Sequence, residues 1–472
     1  MSTTLAASED IWRRDIMPAL CEYVRVPNVS SAYDPAWREN GHMMRAAGLI
    51  RDWCATRPVE GMTLELLTHP TLSPVLLIDV AARGTDRADT VLLYGHMDKQ
   101  PEMTGWRAGL GPWEPVIEDG RLYGRGGADD GYAVFASLTA IETAQREGRP
   151  HARCVVLIEA SEESGSIDLP SWLDILGNRI GDPSLVICLD SGCLDYGRMW
   201  VTTSLRGLAG GVLRVDVLDE GVHSGEASGV VPSSFRIIRA LLDRVEDSAT
   251  GGILLRSMHA DIPPHRVAEA RLTADEFPEP VSTHYPLVGG TQPMVDDAAD
   301  QLLARTWMPT LSVTGADGMP PTGRAGNVLR PFTSVRLSFR LPPTCDSRAA
   351  LAELESVLLD RPPHGARVTF RDGDAADGWD APAPEQWLQD ALDDASVGTF
   401  GAPARNFGEG GSIPFMGMLG SRYPHAQFVV TGVLGPGSNA HGPNEFMHIA
   451  TAEKLTAAMS LVLSAHALRP AV

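Results

Sequence analysis

The chain has 472 residues, 39 of them Lys or Arg and 60 Asp or Glu, for a net charge of −21. That charge argues against nucleic acid and anionic membranes as partners, and it requires any anion-binding site to carry its own local positive charge. The length exceeds one ordinary core, and a 43% hydrophobic content suits a soluble globular protein of two or more domains.

The N-terminus has neither a basic start nor an apolar stretch, so no signal peptide is expected, and no apolar run reaches the roughly 18 residues of a membrane span. Cys21, Cys54, Cys154, Cys188, Cys193 and Cys345 form no C-x-x-C pair, which fits a reducing cytoplasm. Ile11, Trp12, Ile16, Leu20, Tyr23 and Val24 recur at helical spacing and predict an opening helix over 8–28. Short apolar runs follow at 62–67, 74–80, 90–94, 154–158 and 185–189. Several are continuous rather than alternating, as in strands buried on both faces. Residues 131–148 read as a helix, with Val134, Phe135, Leu138 and Ile141 on one side and a glycine stop. Strands alternating with helices predict an α/β domain.

From about Arg206 the pattern becomes alternating, at 213–218 and 334–341, which predicts an antiparallel sheet with one covered face. Segments 232–245 and 347–359 read as helices, and 263–300 as loop-rich. The expected organisation is an α/β domain of residues 1–206 and 380–472, with an α+β domain of residues 207–379 inserted in it.

Five segments carry chemistry. Strand 90–94 leads to His96 and Asp98, which point the same way on extended chain, so Asp98 can hold one ring nitrogen while the other binds a metal. Asp129 and Asp130 open a helix, where capping explains one aspartate but not the pair. Glu162 and Glu163 form an acidic doublet after an apolar strand; such neighbours repel and need a positive group. Asp190 ends another apolar strand, and His441 lies in a late glycine-rich turn. The first four follow strands or open a helix, where open α/β sheets place their sites. Together the five suit two divalent metals with mixed N/O ligands, zinc foremost.

The ordered set Gly95-His-Met-Asp98, Leu122-Tyr-Gly-Arg-Gly with Asp129-Asp130, Glu162-Glu-Ser-Gly-Ser166, Asp190, Leu218-Asp-Glu-Gly-Val-His-Ser-Gly225, Ser338-Phe-Arg-Leu-Pro342, Glu409-Gly-Gly-Ser-Ile-Pro414 and Ala440-His-Gly-Pro-Asn-Glu445 resembles the M20 family of dinuclear zinc peptidases and amidohydrolases. Within it the chain looks most like the carnosinase-type dipeptidases. The resemblance implies a catalytic domain with a mostly parallel, zinc-peptidase-like sheet, and makes the inserted domain a lid and homodimerisation domain. It implies one metal on His96 and Asp190 and another on Glu163 and His441, with Asp129 bridging and a cis peptide bond between Asp129 and Asp130. Two dications, three carboxylates and a bridging hydroxide would sum to neutrality. Zinc is the implied pair of ions, with manganese and cobalt also suited.

By the same resemblance Glu162 is the general base, Asp98 supports His96, and His223 steadies the substrate carbonyl oxygen, in dimeric relatives from the other subunit. Arg340 would clamp a free carboxylate, and Asn327, Gly411, Ser412 and Glu409 would contact substrate. The implied activity is hydrolysis of dipeptides or short peptides. An N-acyl or N-carbamoyl amino acid amidohydrolase is the alternative, and an inactive metal-binding scaffold a third reading. Two positions depart from the family pattern: Gly131, where many relatives have Lys after the Asp pair, and Lys99, where dipeptidase relatives often have Val. Lys99 is expected to add positive charge near the site.

Overall fold

The computed structural model describes residues 3–277, 279–411 and 413–470, except for the side chain of Pro414. The chain divides into two compact units. The first comprises the chain up to Thr203, Ala381–Phe407 and the chain from Met418; the second comprises Ser204–Asp380 and Gly408–Gly417. The short segment 408–417, part of the tail on the sequence reading, thus groups with the inserted unit.

The first unit opens with helix Thr3–Ile11, which passes through a wider turn, Trp12–Ile16, into α1 (Met17–Val24). Strands β1 (Met62–Leu67), β2 (Val75–Val80) and β3 (Thr90–His96) precede helix α2 (Tyr132–Arg146), β4 (Arg153–Glu159) and β5 (Pro183–Cys188). The second unit supplies β6 (Gly207–Asp216), α3 (Pro264–Glu276), β7 (Thr310–Asp317), β8 (Phe332–Leu341), α4 (Ser347–Leu359) and β9 (Arg367–Ala376). The chain then returns to the first unit with β10 (Gln427–Val430) and ends in α5 (Ile449–Leu468).

The first unit is built on a six-stranded sheet in the order β1-β2-β4-β3-β5-β10. Strands β4, β3, β5 and β10 run parallel to one another, and β2 opposes its neighbours β1 and β4. Every residue of β3 is buried, which is why its sequence is a continuous apolar run. The core of this unit joins the sheet to Trp12 and Tyr23 on one side of the chain order and to Met459 and Leu463 of α5 on the other. Parallel strands carry the residues after them to one edge, so the segments following β3, β4 and β5 share the carboxyl edge of the sheet.

The second unit has a four-stranded antiparallel sheet, β7-β8-β6-β9, packed on its own core, which includes Leu213, Ile238, Phe339 and Leu354. The expected α/β and α+β architectures are both present. One expectation fails: the stretch taken as loop-rich from 263 contains the 13-residue helix α3. Its buried positions are Arg266, Ala270 and Thr273, so it lacks the aliphatic stripe by which a helix is recognised in sequence. No helix among the described residues is long and apolar enough to cross a membrane.

Near the end of α5, His466 is fully buried, with Nε2 2.9 Å from the Ser184 hydroxyl and its ring edge-on to Trp387. Burial, reinforced by Arg469, lowers its pKa to about 3. Such a group contributes stability above the unfolded value and loses it as pH falls through the window between the two. At pH 5 the loss attributable to His466 is about 2 kcal/mol, so His466→Gln should flatten the decline in stability between pH 7 and 5 by that amount in urea unfolding.

Candidate metal centre

Two groups of potential ligands meet in the first unit: His96, Asp129 and Asp190, and Asp129, Glu163 and His441. Within each group the ligand atoms lie within 4.8 Å of one another, and Asp129 belongs to both. Its Oδ1 lies 3.2 Å from His96 Nε2, and its Oδ2 lies 2.8 Å from His441 Nε2. His96 Nε2 is also 3.6 Å from Asp190 Oδ2, and His441 Nε2 is 3.2 Å from Glu163 Oε2. Glu162 Oε2 approaches His96 Nε2 to 3.9 Å. The geometry therefore brings together all five expected ligands and the expected base.

The backbone explains how these groups can crowd. His96 is the last residue of β3, and its N–H donates to Asp130 Oδ2 at 3.2 Å. Gly95 is required here, because a Cβ would stand 2.8 Å from that same Asp130 oxygen and 2.9 Å from the Ala133 methyl. The Asp129–Asp130 peptide bond is cis. Asp98 does more than was expected of it. Its Oδ1 lies 3.4 Å from His96 Nδ1, with its own carbonyl oxygen nearer, at 3.1 Å. Its two carboxylate oxygens accept the backbone N–H groups of Glu162 and Glu163 at 3.1 and 3.0 Å. One aspartate thus fixes the imidazole and the acidic turn together.

Two supporting contacts were not foreseen. Gln100 donates its side-chain amide to Glu163 Oε2 at 2.7 Å and its backbone N–H to Oε1 at 3.1 Å. Arg125 and Glu445 form a fully buried ion pair, in which Arg125 also donates to the Gly442 carbonyl at 3.1 Å and Glu445 accepts from Gly126 N–H at 2.8 Å. This pair ties the loop bearing Asp129 to the loop bearing His441. Both residues lie inside recognisable motifs, but their pairing spans 320 positions and has no local signature.

Lys99 corrects an expectation. It is fully buried and turned away from the carboxylates, donating to the carbonyls of Tyr23, in the last turn of α1, and of Val26, just beyond it, each at 2.8 Å. Its ammonium also lies 4.0 Å from the centre of the Tyr23 ring. It adds no charge to the ligand cluster; it holds the turn after β3 against α1.

The electrostatics of the cluster follow from burial among like charges. Burial raises the Glu162 pKa well above the ordinary range, and although His96 opposes the shift, Asp190 and Glu163 reinforce it. Burial and Asp129 raise Glu163. Burial would raise Asp129 as well, but His441 and His96 together hold it far below the usual carboxylate range. Burial disfavours a charged His96, yet Asp190, Asp129 and Asp98 outweigh it and raise its pKa strongly. His441 is likewise raised by Asp129 and Glu163, against burial; its ring is 55% exposed, and solvent screens that interaction. Every shift reports the same demand for positive charge among the carboxylates.

The other expected residues belong to the second unit. His223 is exposed at the end of a two-residue strand paired with Val328–Leu329, and its Nδ1 accepts from Gly225 N–H at 3.1 Å. The Asn327 carbonyl accepts from Ser224 N–H at 3.0 Å, so His223 and Asn327 share one corner. Arg340 lies on β8 opposite Thr310 of β7. Glu409 and Gly411 flank Gly410, and the carbonyls of Gly410 and Gly411 accept from the side chain and backbone of Arg206, each at 3.0 Å. Ser412 lies outside the described residues.

Two imidazoles with three carboxylates, one of which turns an oxygen to each side, form a donor set suited to divalent cations of borderline hardness. The fold and this donor set define a metal-binding α/β hydrolase with an inserted α+β unit. The model of peptidase family M20/M25/M40 matches residues 92–465, and the chain belongs to that family. It is 28% identical over 419 residues to the cysteinylglycine-S-conjugate dipeptidase of Corynebacterium striatum, covering 84% of this chain and 87% of that protein. It is 26% identical over 369 residues to the β-Ala-His dipeptidase of Mus musculus, covering 75% and 73%. Its fold superimposes on the dipeptidase Dug1p of Saccharomyces cerevisiae with a TM-score of 0.78 at 22% identity, and on human carnosine dipeptidase 1 with 0.77 at 20%, each match covering 99% of both chains.

Replacing Asp98 with Ala removes the acceptor for both glutamate N–H groups and the carboxylate beside His96. Metal affinity should fall about 10–100-fold, as outer-shell losses do, in a competition titration against a chromophoric chelator. Wild-type affinity in the variant would show that Asp98 does not organise the site.

Proposed function

We propose that this chain is a cytoplasmic dipeptidase, hydrolysing the peptide bond of dipeptides or short peptides that end in a free carboxylate, with two divalent ions as cofactor. The observation that carries this reading is Glu162, a half-buried carboxylate facing His96 beside two ligand groups that share Asp129. The dipeptidase names of relatives aligned along most of the chain support the substrate class, and they favour it over N-acyl or N-carbamoyl amino acids. Six free cysteines, five of them buried, fit a reducing compartment.

In this reading His96 and Asp190 hold one ion and Glu163 and His441 the other, with Asp129 between them. Zinc is the first candidate, and manganese or cobalt would suit the same donors. Bound ions of this kind activate water and polarise a carbonyl oxygen. The chain's own residues do the remaining work. Glu162 accepts the proton released by the attacking water and delivers it to the leaving amine. Asp98 and Gln100 hold the Glu162–Glu163 turn still while this happens. His223 donates to the carbonyl oxygen as negative charge develops there, within its own subunit or across a homodimer formed through the second unit. Arg340 offers a planar pair of donors to the terminal carboxylate. Asn327, Gly411, Ser412 and Glu409 would complete the substrate contacts.

Glu162→Gln should retain its metal content while losing turnover by at least about 100-fold, the lower end of general-base contributions. Metal analysis of the purified variant beside a dipeptide assay checks both halves, and undiminished turnover would remove Glu162 from the mechanism. It would also separate this reading from that of an inactive scaffold.

Arg340→Ala should weaken substrates with a free C-terminal carboxylate through KM, by about 10- to 100-fold for a lost charged hydrogen-bonding partner, and affect amide-capped substrates less. Equal losses on both would rule out a carboxylate clamp. A library in which N-acyl amino acids turn over and no dipeptide does would transfer the chemistry to the amidohydrolase alternative.

A further inference from the structure

Glu159, the last residue of β4, is buried and belongs to neither ligand group, yet three hydroxyls converge on its carboxylate. Tyr94 of β3 and Ser166 donate to Oε1, Ser166 at 2.8 Å, and Ser161 donates to Oε2 at 2.9 Å. All three donors are themselves buried. The two serines bracket the acidic doublet: Ser161 directly precedes Glu162, and Ser166 lies three residues after Glu163. One carboxylate therefore grips both ends of the turn that carries the doublet.

The backbone of that turn shows why a grip is needed. A single tight helical turn, Glu162–Ser164, is closed by Ser166 N–H on the Ser161 carbonyl at 2.9 Å. The chain leaves it through two consecutive left-handed residues, Gly165 at φ 85° and Ser166 at φ 53°. Glycine adopts that conformation freely, whereas serine adopts it at a cost and stays there only where its surroundings hold it. The Ser166 hydroxyl, bonded to Glu159, supplies that hold. Asp98, just after β3, accepts the two N–H groups of the doublet, and Glu159, at the end of the neighbouring β4, accepts the hydroxyls on either side of it. A buried carboxylate is tolerated only when its oxygens are hydrogen-bonded, so Glu159 and its three donors fix one another. We propose that Glu159 is the positioning residue of the doublet: through Ser161 and Ser166 it sets the direction in which Glu162 and Glu163 leave the turn. Its consequence for catalysis rests on the reading of Glu162 as the general base.

With metal added to saturation, Glu159→Ala should lower kcat on a dipeptide by about 10- to 100-fold and leave KM within about twofold, as expected when a reacting group is displaced and substrate contacts are not. Glu159→Gln should recover most of that loss, because its oxygen still accepts from Tyr94 and Ser166 while its amide faces Ser161. An unchanged kcat in Glu159→Ala, or a Gln variant as impaired as the Ala variant, would overturn the proposal. Amide hydrogen exchange of the whole chain, followed by mass spectrometry, tests the grip without turnover. In Glu159→Ala the amides of 164–166 should exchange about tenfold faster or more, while those of β4 and β5 keep their wild-type protection. Wild-type exchange in the turn, or faster exchange throughout the sheet, would also overturn it. If the turn loosens in the variant but wild type cleaves no dipeptide, the dipeptidase reading fails and the anchoring role of Glu159 stands. If Glu159→Ala does not fold, Ser166→Ala decides. Having lost one of the three hydroxyls, it should show the same faster exchange in the turn and a kcat lower by about threefold or more, and wild-type values for both would overturn the proposal.

Discussion

The first unit is organised around one electrostatic problem: Asp129, Glu163 and Asp190 are buried together at the carboxyl edge of a sheet, with Glu162 half-buried beside them. Bringing carboxylates out of water beside one another is unfavourable, and only positive charge in their midst makes it tolerable. The two imidazoles answer part of that demand. His96 and His441 are both pushed toward the charged form, and each is aimed at a different oxygen of Asp129. A carboxylate with one oxygen turned to each side is the natural place for two cations to share a ligand. The acidic doublet is divided between the two imidazoles: Glu163 faces His441 and Glu162 faces His96.

Holding such a cluster requires contacts that do not themselves add negative charge to it. Asp98 is the apparent exception, since it brings another carboxylate close to His96. Its oxygens are occupied by the N–H groups of Glu162 and Glu163, so its charge is spent on fixing the backbone of the doublet. The Arg125–Glu445 pair is neutral overall and fully buried. Removing one partner of such a pair leaves an uncompensated charge, which makes the pair a demanding fastening between two ligand loops. It joins segments that the chain separates by most of its length.

Much of the fold and site was legible because each feature left a local pattern. The continuous runs of β3, β4 and β5 showed strands covered on both faces, and the acids placed just after them showed the edge where a site forms. The features missed had no such pattern. Helix α3 buries Arg266, Ala270 and Thr273 instead of an aliphatic stripe, so its period was hidden. Gln100 and the Arg125–Glu445 pair act through contacts made only after folding.

Lys99 and Gly131 looked in sequence like two unrelated departures from the family pattern, and the packing makes them one. A side chain at position 131 would strike the Tyr23 ring and the Gly126 carbonyl. Tyr23 stands there because its hydroxyl donates to the Met97 carbonyl while its own carbonyl accepts from Lys99. The Lys99 methylenes in turn lie where a Cβ on Gly126 would be, directly beneath the loop that carries Asp129. A lysine after β3 and a glycine after the Asp pair therefore belong to a single arrangement, in which α1 supports the metal-ligand loop from below. A buried ammonium that bonds three carbonyl oxygens and an aromatic face needs no carboxylate partner. This arrangement supports the loop without drawing Asp129 or its neighbours away from His96 and His441.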